Sequence, residues 1–301
     1  MKDFLQQQIF LPAPLEGVMR PAVIEACNDL ELTRVWVTPF LRVSEHVPKE
    51  RELKEFMRPF APERCRVILQ IMGTCAERLA ETALRGIAAG AAGIDLNCGC
   101  PSSQVVAHGA GAGCLRQTER TAEIIGAIRQ AVGKSFFSVK TRLGFDDWNE
   151  CKEFLPLWES AGAPDMFTLH YRTAREGYRV TPGREERLTA ARQSVKNALV
   201  WVNGDITTVS EGEDLIRLVQ AHGAMIGRAF WRDPFMFKRR WEGFSVPDPE
   251  AGRKILLQKL LALPYSKSWS LGSAIELASL IAGSNSPEAV QLKQAHSKKS
   301  S

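Results

Sequence analysis

Short runs of apolar residues recur along the chain, separated by stretches whose apolar positions repeat with a helical period. The runs lie at 9–14, 33–40, 66–72, 93–97, 136–142, 164–170, 198–205 and 223–228. The helical stretches include 75–90, 119–132 and 207–222. Buried strands that alternate with amphipathic helices are typical of a parallel sheet, and eight such runs predict an α/β fold, the (β/α)8 TIM barrel. A doubly wound open sheet is the alternative.

The pattern changes at about residue 243. A connector rich in Pro and Gly occupies 243–252, a helical stretch follows at 253–263, and the remaining tail is rich in Ser. Such a connector marks a domain boundary. We therefore predict a catalytic barrel at 1–242 and a small helical appendage at 243–301 with a disordered end, the final "HSKKSS".

Composition narrows the choice of partner and compartment. Lys and Arg number 39 against 34 Asp and Glu, and the sequence pI is about 8.8, which is compatible with a polyanionic partner. No apolar run approaches the roughly 20 residues needed to span a bilayer, and the N-terminus lacks a secretory signal. Seven cysteines form no evenly spaced framework. These features predict a cytoplasmic protein without a membrane partner, its cysteines mostly thiols.

Polar and glycine residues cluster where the predicted strands end. In a TIM barrel the carboxyl ends of the strands converge on one rim, where active sites lie. The residues found there are Glu16, Gln70, Asn97, Cys100, Lys140, Arg142, His170, Asn203, Gly204, Asp205, Gly227 and Arg228. The sequence therefore predicts one site at this rim.

The last two strands are followed by a pattern that favours a phosphorylated cofactor. Asn203-Gly204-Asp205 and Gly227-Arg228 lie where barrels commonly hold a phosphate on main-chain N–H groups, with an arginine to add a charged contact. Gln70, Lys140, His170 and Asn203 would offer donors and acceptors to a heterocycle such as a flavin ring. Lys140 could instead be a Schiff-base nucleophile, which keeps a lyase of the aldolase type as an alternative.

A cysteine pair and a glycine-rich segment lie near residue 100. Cys98 and Cys100 have the wrong spacing for a usual zinc pair, and no nearby His completes a site, so we predict no metal. The segment "GAGAG" at 109–113 lacks a phosphate-binding spacing, and we interpret it as a mobile loop over the rim connected with the role of Cys100.

Eight segments together resemble the tRNA-dihydrouridine synthases, and the chain is most similar to the bacterial C type, which modifies uridine 16. They are "APLEGVM", "LQIMG", "GIDLNCGCPS", "GAGAGCL", "VKTRLGFD", "LHYRTAREGY", "VNGDI" and "MIGR", and they cover roughly residues 9–235 in the family's order. "DLNCGCPS" is the most specific of them.

The resemblance implies an FMN enzyme that takes hydride from NADPH, or NADH, and reduces the C5–C6 bond of a uracil base in tRNA. It implies no stable protein partner. It also implies that Cys100 is the proton donor, that Asn97 and Tyr178 contact the flipped uridine or its neighbours, and that Arg42 helps to orient the tRNA. The implied FMN contacts are Pro14, Leu15, Glu16, Gln70, Lys140, His170, Asn203, Gly204, Asp205, Gly227 and Arg228.

A cysteine suits the implied chemistry, because a thiol with an ordinary pKa is mostly protonated at neutral pH. Cys98, at the end of the buried run, is expected to be a small packing side chain. The chain departs from the family's usual motifs at Pro39, Ser103, Gln104 and Tyr171, and its C-terminal region lacks the basic, aromatic segment of C-type members. A non-catalytic tRNA-binding paralogue is therefore a further alternative.

Overall fold

A computed structural model describes residues 1–243, 246–263, 270–287, 289–290 and 292–294. Its strands are β1 Phe10–Pro12, β2 Val35–Val37, β3 Leu41–Val43, β4 Arg66–Gly73, β5 Gly93–Cys98, β6 Phe136–Arg142, β7 Met166–His170, β8 Leu199–Asn203 and β9 Gly223–Ile226. Its helices are α1 Lys2–Gln7, α2 Pro21–Asp29, α3 Glu50–Met57, α4 Ala76–Ala88, α5 Ser103–Ala107, α6 Thr118–Val132, α7 Cys151–Gly162, α8 Arg184–Gln193, α9 Val209–Val219, α10 Arg228–Arg232, α11 Met236–Glu242, α12 Pro249–Leu261 and α13 Leu271–Ala282.

The strands form a parallel sheet whose order confirms the predicted (β/α)8 barrel. Along the sheet the order is β1-β9-β8-β7-β6-β5-β4-β2, with the short β3 also pairing with β4. The first strand therefore pairs with the last, through Leu11 and Met225. An open doubly wound sheet would leave these two strands at separate positions, so that alternative is excluded.

The second barrel strand is interrupted, which the sequence pattern did not predict. The run expected at 33–40 ends as β2 at Val37, and β3 resumes at Leu41 on the same neighbour, β4. Pro39, which has no N–H to donate, lies in the gap. Thr38 compensates, because its Oγ1 accepts the main-chain N–H of Gln70 at 3.0 Å. Its own N–H donates to the carbonyl of Ile68.

The lower half of the barrel is filled with apolar side chains. Leu11, Ile68, Phe136, Trp201 and Met225, from five different strands, belong to one buried cluster. Leu5 of α1 joins this cluster and is fully buried. The N-terminal helix thus covers the end of the barrel at which the strands begin, opposite the predicted site.

Two C-terminal helices correspond to the predicted appendage. Asp248 caps α12 by accepting the N–H of Ala251 at 2.8 Å, and Ser270 caps α13 in the same way. Leu256 of α12 and Leu277 of α13 share the hydrophobic cluster of the barrel helices. The division at residue 243 stays a prediction, and the tail expected to be disordered, 296–301, lies outside the described residues. In the part of the chain that is described, no helix is long and apolar enough to cross a membrane.

Candidate active site

The pairing register brings the predicted polar residues onto one interior surface near the rim. Residues paired across neighbouring strands face the same side of the sheet. The pairs are Gln70 with Asp95, Asn97 with Lys140, Arg142 with His170, and His170 with Asn203. The polar side chains thus lie in layers between the rim and the buried apolar cluster that contains Leu11 and Trp201.

Asn97 connects this interior surface to the turn that carries Cys100. Its Nδ2 donates to Oε1 of Gln70 at 2.9 Å. Its Oδ1 accepts the main-chain N–H groups of Gly99 at 3.1 Å and of Cys100 at 3.0 Å. A buried side chain therefore fixes the start of the turn.

Cys98 and Cys100 lie in different environments, as expected. Cys98 is fully buried, and burial raises its pKa well above the ordinary thiol value. Cys100 is partly exposed, and its carbonyl accepts the N–H of Ala112 at 2.9 Å. A Cβ added at Gly111 would lie 2.9 Å from the Cys100 carbonyl oxygen. The "GAGAG" segment is therefore packed beside Cys100, and Gly111, Ala112 and Gly113 are buried.

Asp95 also lies in the site, although it is not among the residues predicted from the sequence. It is 2 % exposed and accepts hydrogen bonds from Gln70 Nε2 at 2.8 Å and from Ser138 Oγ at 2.5 Å. Burial raises the pKa of its carboxyl to about 6. A charged residue inside the apolar run "GIDLN" was the available signal.

Lys140 is held at the rim by Asn203. Its Nζ donates to Oδ1 of Asn203 at 3.0 Å, and Asn203 Nδ2 donates to the carbonyl of Met225 at 2.7 Å. Burial, together with the nearby Arg142 cation, lowers the pKa of Lys140 to about 8. Two of its three ammonium protons remain for a ligand.

The surroundings of His170 favour its neutral imidazole form. Burial, and then the surrounding arginine and lysine cations, lower its pKa well below the usual value. Its Nδ1 accepts the main-chain N–H of Arg172 at 3.3 Å, which leaves Nε2 as the protonated nitrogen. The ring also stacks on Tyr171, with centroids 5.7 Å apart.

Asp205 organises the far side of the rim. Its Oδ2 accepts from the Arg172 guanidinium and from the Tyr171 hydroxyl, the latter at 2.9 Å. Its Oδ1 accepts from Arg228 at 3.0 Å. Burial alone would raise the pKa of this carboxyl, but the bonds from Arg172 and Tyr171 hold it below its ordinary value.

Gly204 has no tolerance for a side chain. Its φ is +111°, and a Cβ there would lie 2.7 Å from the Tyr171 ring. Gly227 precedes α10, and a Cβ there would meet only Ala13, at 3.7 Å. The space beside the Gly227 Cα is therefore open to a ligand, next to the exposed guanidinium of Arg228.

The remaining predicted residues lie around this rim. Pro14 and Leu15 follow β1, whose neighbour is the strand that ends before Gly227. Glu16 is exposed; partial burial raises its pKa, and the Arg42 and Arg20 cations act in the opposite direction. Tyr178 is 69 % exposed and stands 5.4 Å from the Arg142 guanidinium, measured from its ring centroid.

This donor set fits a flavin mononucleotide. Lys140 and His170 present an ammonium and an imidazole N–H to one region, as a flavin ring requires. Gln70 lies on the same interior surface, where its amide is bonded to Asp95 and Asn97. Gly204, Gly227 and Arg228 offer a tight turn, an open space and a cation for a phosphate. Over the residues with described positions, no cluster of three or more His, Cys, Asp or Glu side chains could hold a metal ion.

Comparison with solved structures defines the class of fold. TcOYE, in its crystal structure with pHBA, has a TM-score of 0.61 at 11% identity, over 86% of this chain and 95% of that one. 2-Naphthoyl-CoA reductase, in complex with 2-naphthoyl-CoA, has a TM-score of 0.63 at 12% identity, over 78% of this chain and 50% of that one. Identities this low support the barrel alone.

Sequence comparison then gives the family. Residues 11–261 match the family described as dihydrouridine synthase (Dus). A tRNA-dihydrouridine(16) synthase from Haemophilus influenzae is 34% identical over 72% of this chain and 71% of its own length. The one from Escherichia coli (strain K12) is 32% identical over 84% and 81%. The chain therefore belongs to the dihydrouridine synthase family and is an oxidoreductase.

Proposed function

We propose that this chain reduces uridine 16 of tRNA to dihydrouridine, with FMN as cofactor, NADPH or NADH as reductant and Cys100 as proton donor. The observation that carries the proposal is the bonded series from Gln70 through Asn97 to Cys100, in a chain of this family. It joins a residue that we propose to hold the flavin ring with a thiol at the rim. The choice of uridine 16 follows the names of the relatives.

The reaction adds one hydride and one proton across the C5–C6 double bond of uracil. Bound FMN would supply the hydride that it receives from the nicotinamide. Gln70, Lys140 and the protonated Nε2 of His170 would hold the ring, while Gly204, Gly227 and Arg228 would hold the phosphate. The Cys100 thiol would deliver its proton to C5, and Asn97 would keep that thiol in place.

The target base must reach a site inside the barrel, below the rim formed by the strand ends. It therefore has to leave its stack in the tRNA. This costs a few kcal/mol and favours a base in a loop, where stacking is weakest. Tyr178 and Arg42, both exposed at the rim, would contact the flipped nucleotide or its neighbours.

The test is a reconstitution with FMN, NADPH and an unmodified tRNA transcript, followed by mapping of dihydrouridine by mass spectrometry. We expect dihydrouridine at position 16 and at no position when uridine 16 is replaced by cytidine. Dihydrouridine at another position would overturn the site assignment, and none at all from flavin-loaded protein would favour the non-catalytic tRNA-binding paralogue.

The lowered pKa of Lys140 would also suit a Schiff-base lyase. Borohydride reduction in the presence of small aldehydes and ketones separates the two reactions. We expect no adduct on Lys140, because its ammonium is bonded to Asn203. A stable secondary amine on Lys140 would favour the Schiff-base lyase over the proposed reductase.

A further inference from the structure

Arg142 is a buried cation that donates to three main-chain carbonyls and also interacts with the Tyr178 side chain. It is 2 % exposed. Its Nε donates to the carbonyl of Gly99 at 2.9 Å, and its Nη1 donates to the carbonyls of Thr173 and Gly177, each at 2.8 Å. One planar guanidinium thus holds two separate parts of the chain.

The first of these parts is the turn that carries Cys100. Asn97 fixes this turn through its N–H groups, and Arg142 fixes it through the carbonyl of Gly99. The turn also lies tightly on β6, since a Cβ at Gly99 would come 3.3 Å from the main chain of Thr141. The thiol is therefore positioned from both sides of one peptide unit.

The second part is the segment that carries Tyr178, here residues 173–179. Arg142 binds the carbonyls of Thr173 and Gly177 from inside the barrel. Glu176 closes the segment from outside, accepting from the Thr173 N–H at 2.8 Å and from Arg187 at 2.9 Å. The Tyr178 ring remains at the surface above the Arg142 guanidinium.

We propose that Arg142 is a positioning residue that fixes the turn carrying Cys100 and the segment carrying Tyr178 at a constant separation. A base that contacts Tyr178 is then delivered beside the thiol. This rests on the proposed function, because it assumes that Tyr178 contacts the base. We call this arrangement, in which Arg142 holds both parts of the chain, the Arg142 clamp. Displacing a reacting group by 1 Å can lower the rate about 100-fold, so the clamp should affect turnover. Lysine cannot replace it, since a single ammonium lacks the planar fork.

The contacts provide a test with two readouts, neither of which needs flavin or tRNA. Alkylation of Cys100 by iodoacetamide reports the turn. Trypsin cleavage after Arg179, next to the 97 % exposed Val180, reports the segment. In Arg142→Lys we expect both rates to rise at least about tenfold, because hydrogen bonds from a charged group are lost on both sides.

Two single-sided variants are the matched controls. Asn97→Ala loosens only the turn and should raise only the alkylation rate. Glu176→Ala removes the acceptor of both the Thr173 N–H and Arg187, so it loosens only the segment and should raise only the cleavage rate. Arg142→Gln repeats the test without the charge, and thermal midpoints identify any variant that has simply unfolded.

A rise in only one rate in Arg142→Lys, or in neither, would overturn the clamp. With tRNA, the clamp predicts a lower kcat for Arg142→Lys at nearly unchanged KM. If the wild-type protein forms no dihydrouridine, the proposed function fails, whereas the alkylation and cleavage results still decide whether Arg142 joins the two parts.

Discussion

Asn97 bonds to Gln70 and to Cys100 at the same time, through opposite ends of one side-chain amide. Its Nδ2 donates to Gln70 Oε1 at 2.9 Å, and its Oδ1 accepts the Cys100 N–H at 3.0 Å. Asn97 also pairs in register with Lys140. Asn97 thus fixes the turn that carries the thiol to the strands β4 and β6, which carry two of the proposed flavin contacts.

Replacing Asn97 by Ala should therefore impair turnover more than cofactor binding. We expect kcat for tRNA reduction to fall about 10- to 100-fold, because the thiol loses its fixed position. The Kd for FMN should change less than kcat does, because Lys140 and His170 are untouched and only Gln70, among the proposed ring contacts, loses a bond. Gln104→Ala, an exposed change in the neighbouring helix α5, is the control. An unchanged kcat would show that the turn carrying Cys100 keeps its conformation without Asn97.

Cys100 and Cys98 should respond very differently to replacement by Ala. Loss of the proton donor in Cys100→Ala should lower the single-turnover rate of uridine reduction by about 10² to 10⁴. Reduction of the flavin by NADPH, followed at its visible absorption band, should be preserved. Cys98→Ala removes a fully buried packing group and should cost about 1 kcal/mol of stability, with a nearly normal rate. Equal losses of rate in the two variants would refute the assignment.

Much of this arrangement could be predicted from the sequence because barrel geometry converts strand order into a shared rim. Because the eight apolar runs predict eight parallel strands, Gln70, Lys140, His170 and Asn203 are expected at one end of the sheet. The packing of Cys98 also followed from its place at the end of a buried run.

The parts that the sequence did not predict depend on pairing and on contacts between distant loops. At the break near Pro39, Thr38 accepts the main-chain N–H of Gln70, a contact that the sequence pattern does not reveal. Tyr171 was visible as a departure from the family motif, but its bond to Asp205 could not be read from the chain. Packing of Gly111 against Cys100 likewise needs the folded turn.

Arg228 should contribute to binding of the FMN phosphate and not of the flavin ring. Asp205 holds its guanidinium at 3.0 Å, beside the open space at Gly227. Arg228→Gln should weaken FMN binding about 10- to 100-fold, the value of a charge-assisted contact. Binding of riboflavin, which has no phosphate, is the internal control and should not change. Equal weakening for both ligands in a fluorescence titration would place Arg228 outside the phosphate site.

Asp95 should make stability depend on pH in a defined window. Its folded-state pKa of about 6 lies above the value of about 3.9 for an unfolded chain. The folded protein therefore keeps a proton that the unfolded chain has lost. The resulting stabilisation is fully present below about pH 4 and is lost as the pH rises through 6.

Comparison with Asp95→Asn isolates this contribution, because the variant cannot titrate at that position. The free energy of unfolding of the wild type, relative to the variant, should fall by about 2 to 3 kcal/mol between pH 4 and pH 7. Ser138→Ala removes a hydrogen bond that favours the ionised carboxylate, so it should extend the fall to higher pH. Urea unfolding at four pH values measures both effects. A constant difference between wild type and Asp95→Asn would mean that the carboxyl has the same pKa in the folded and unfolded chains.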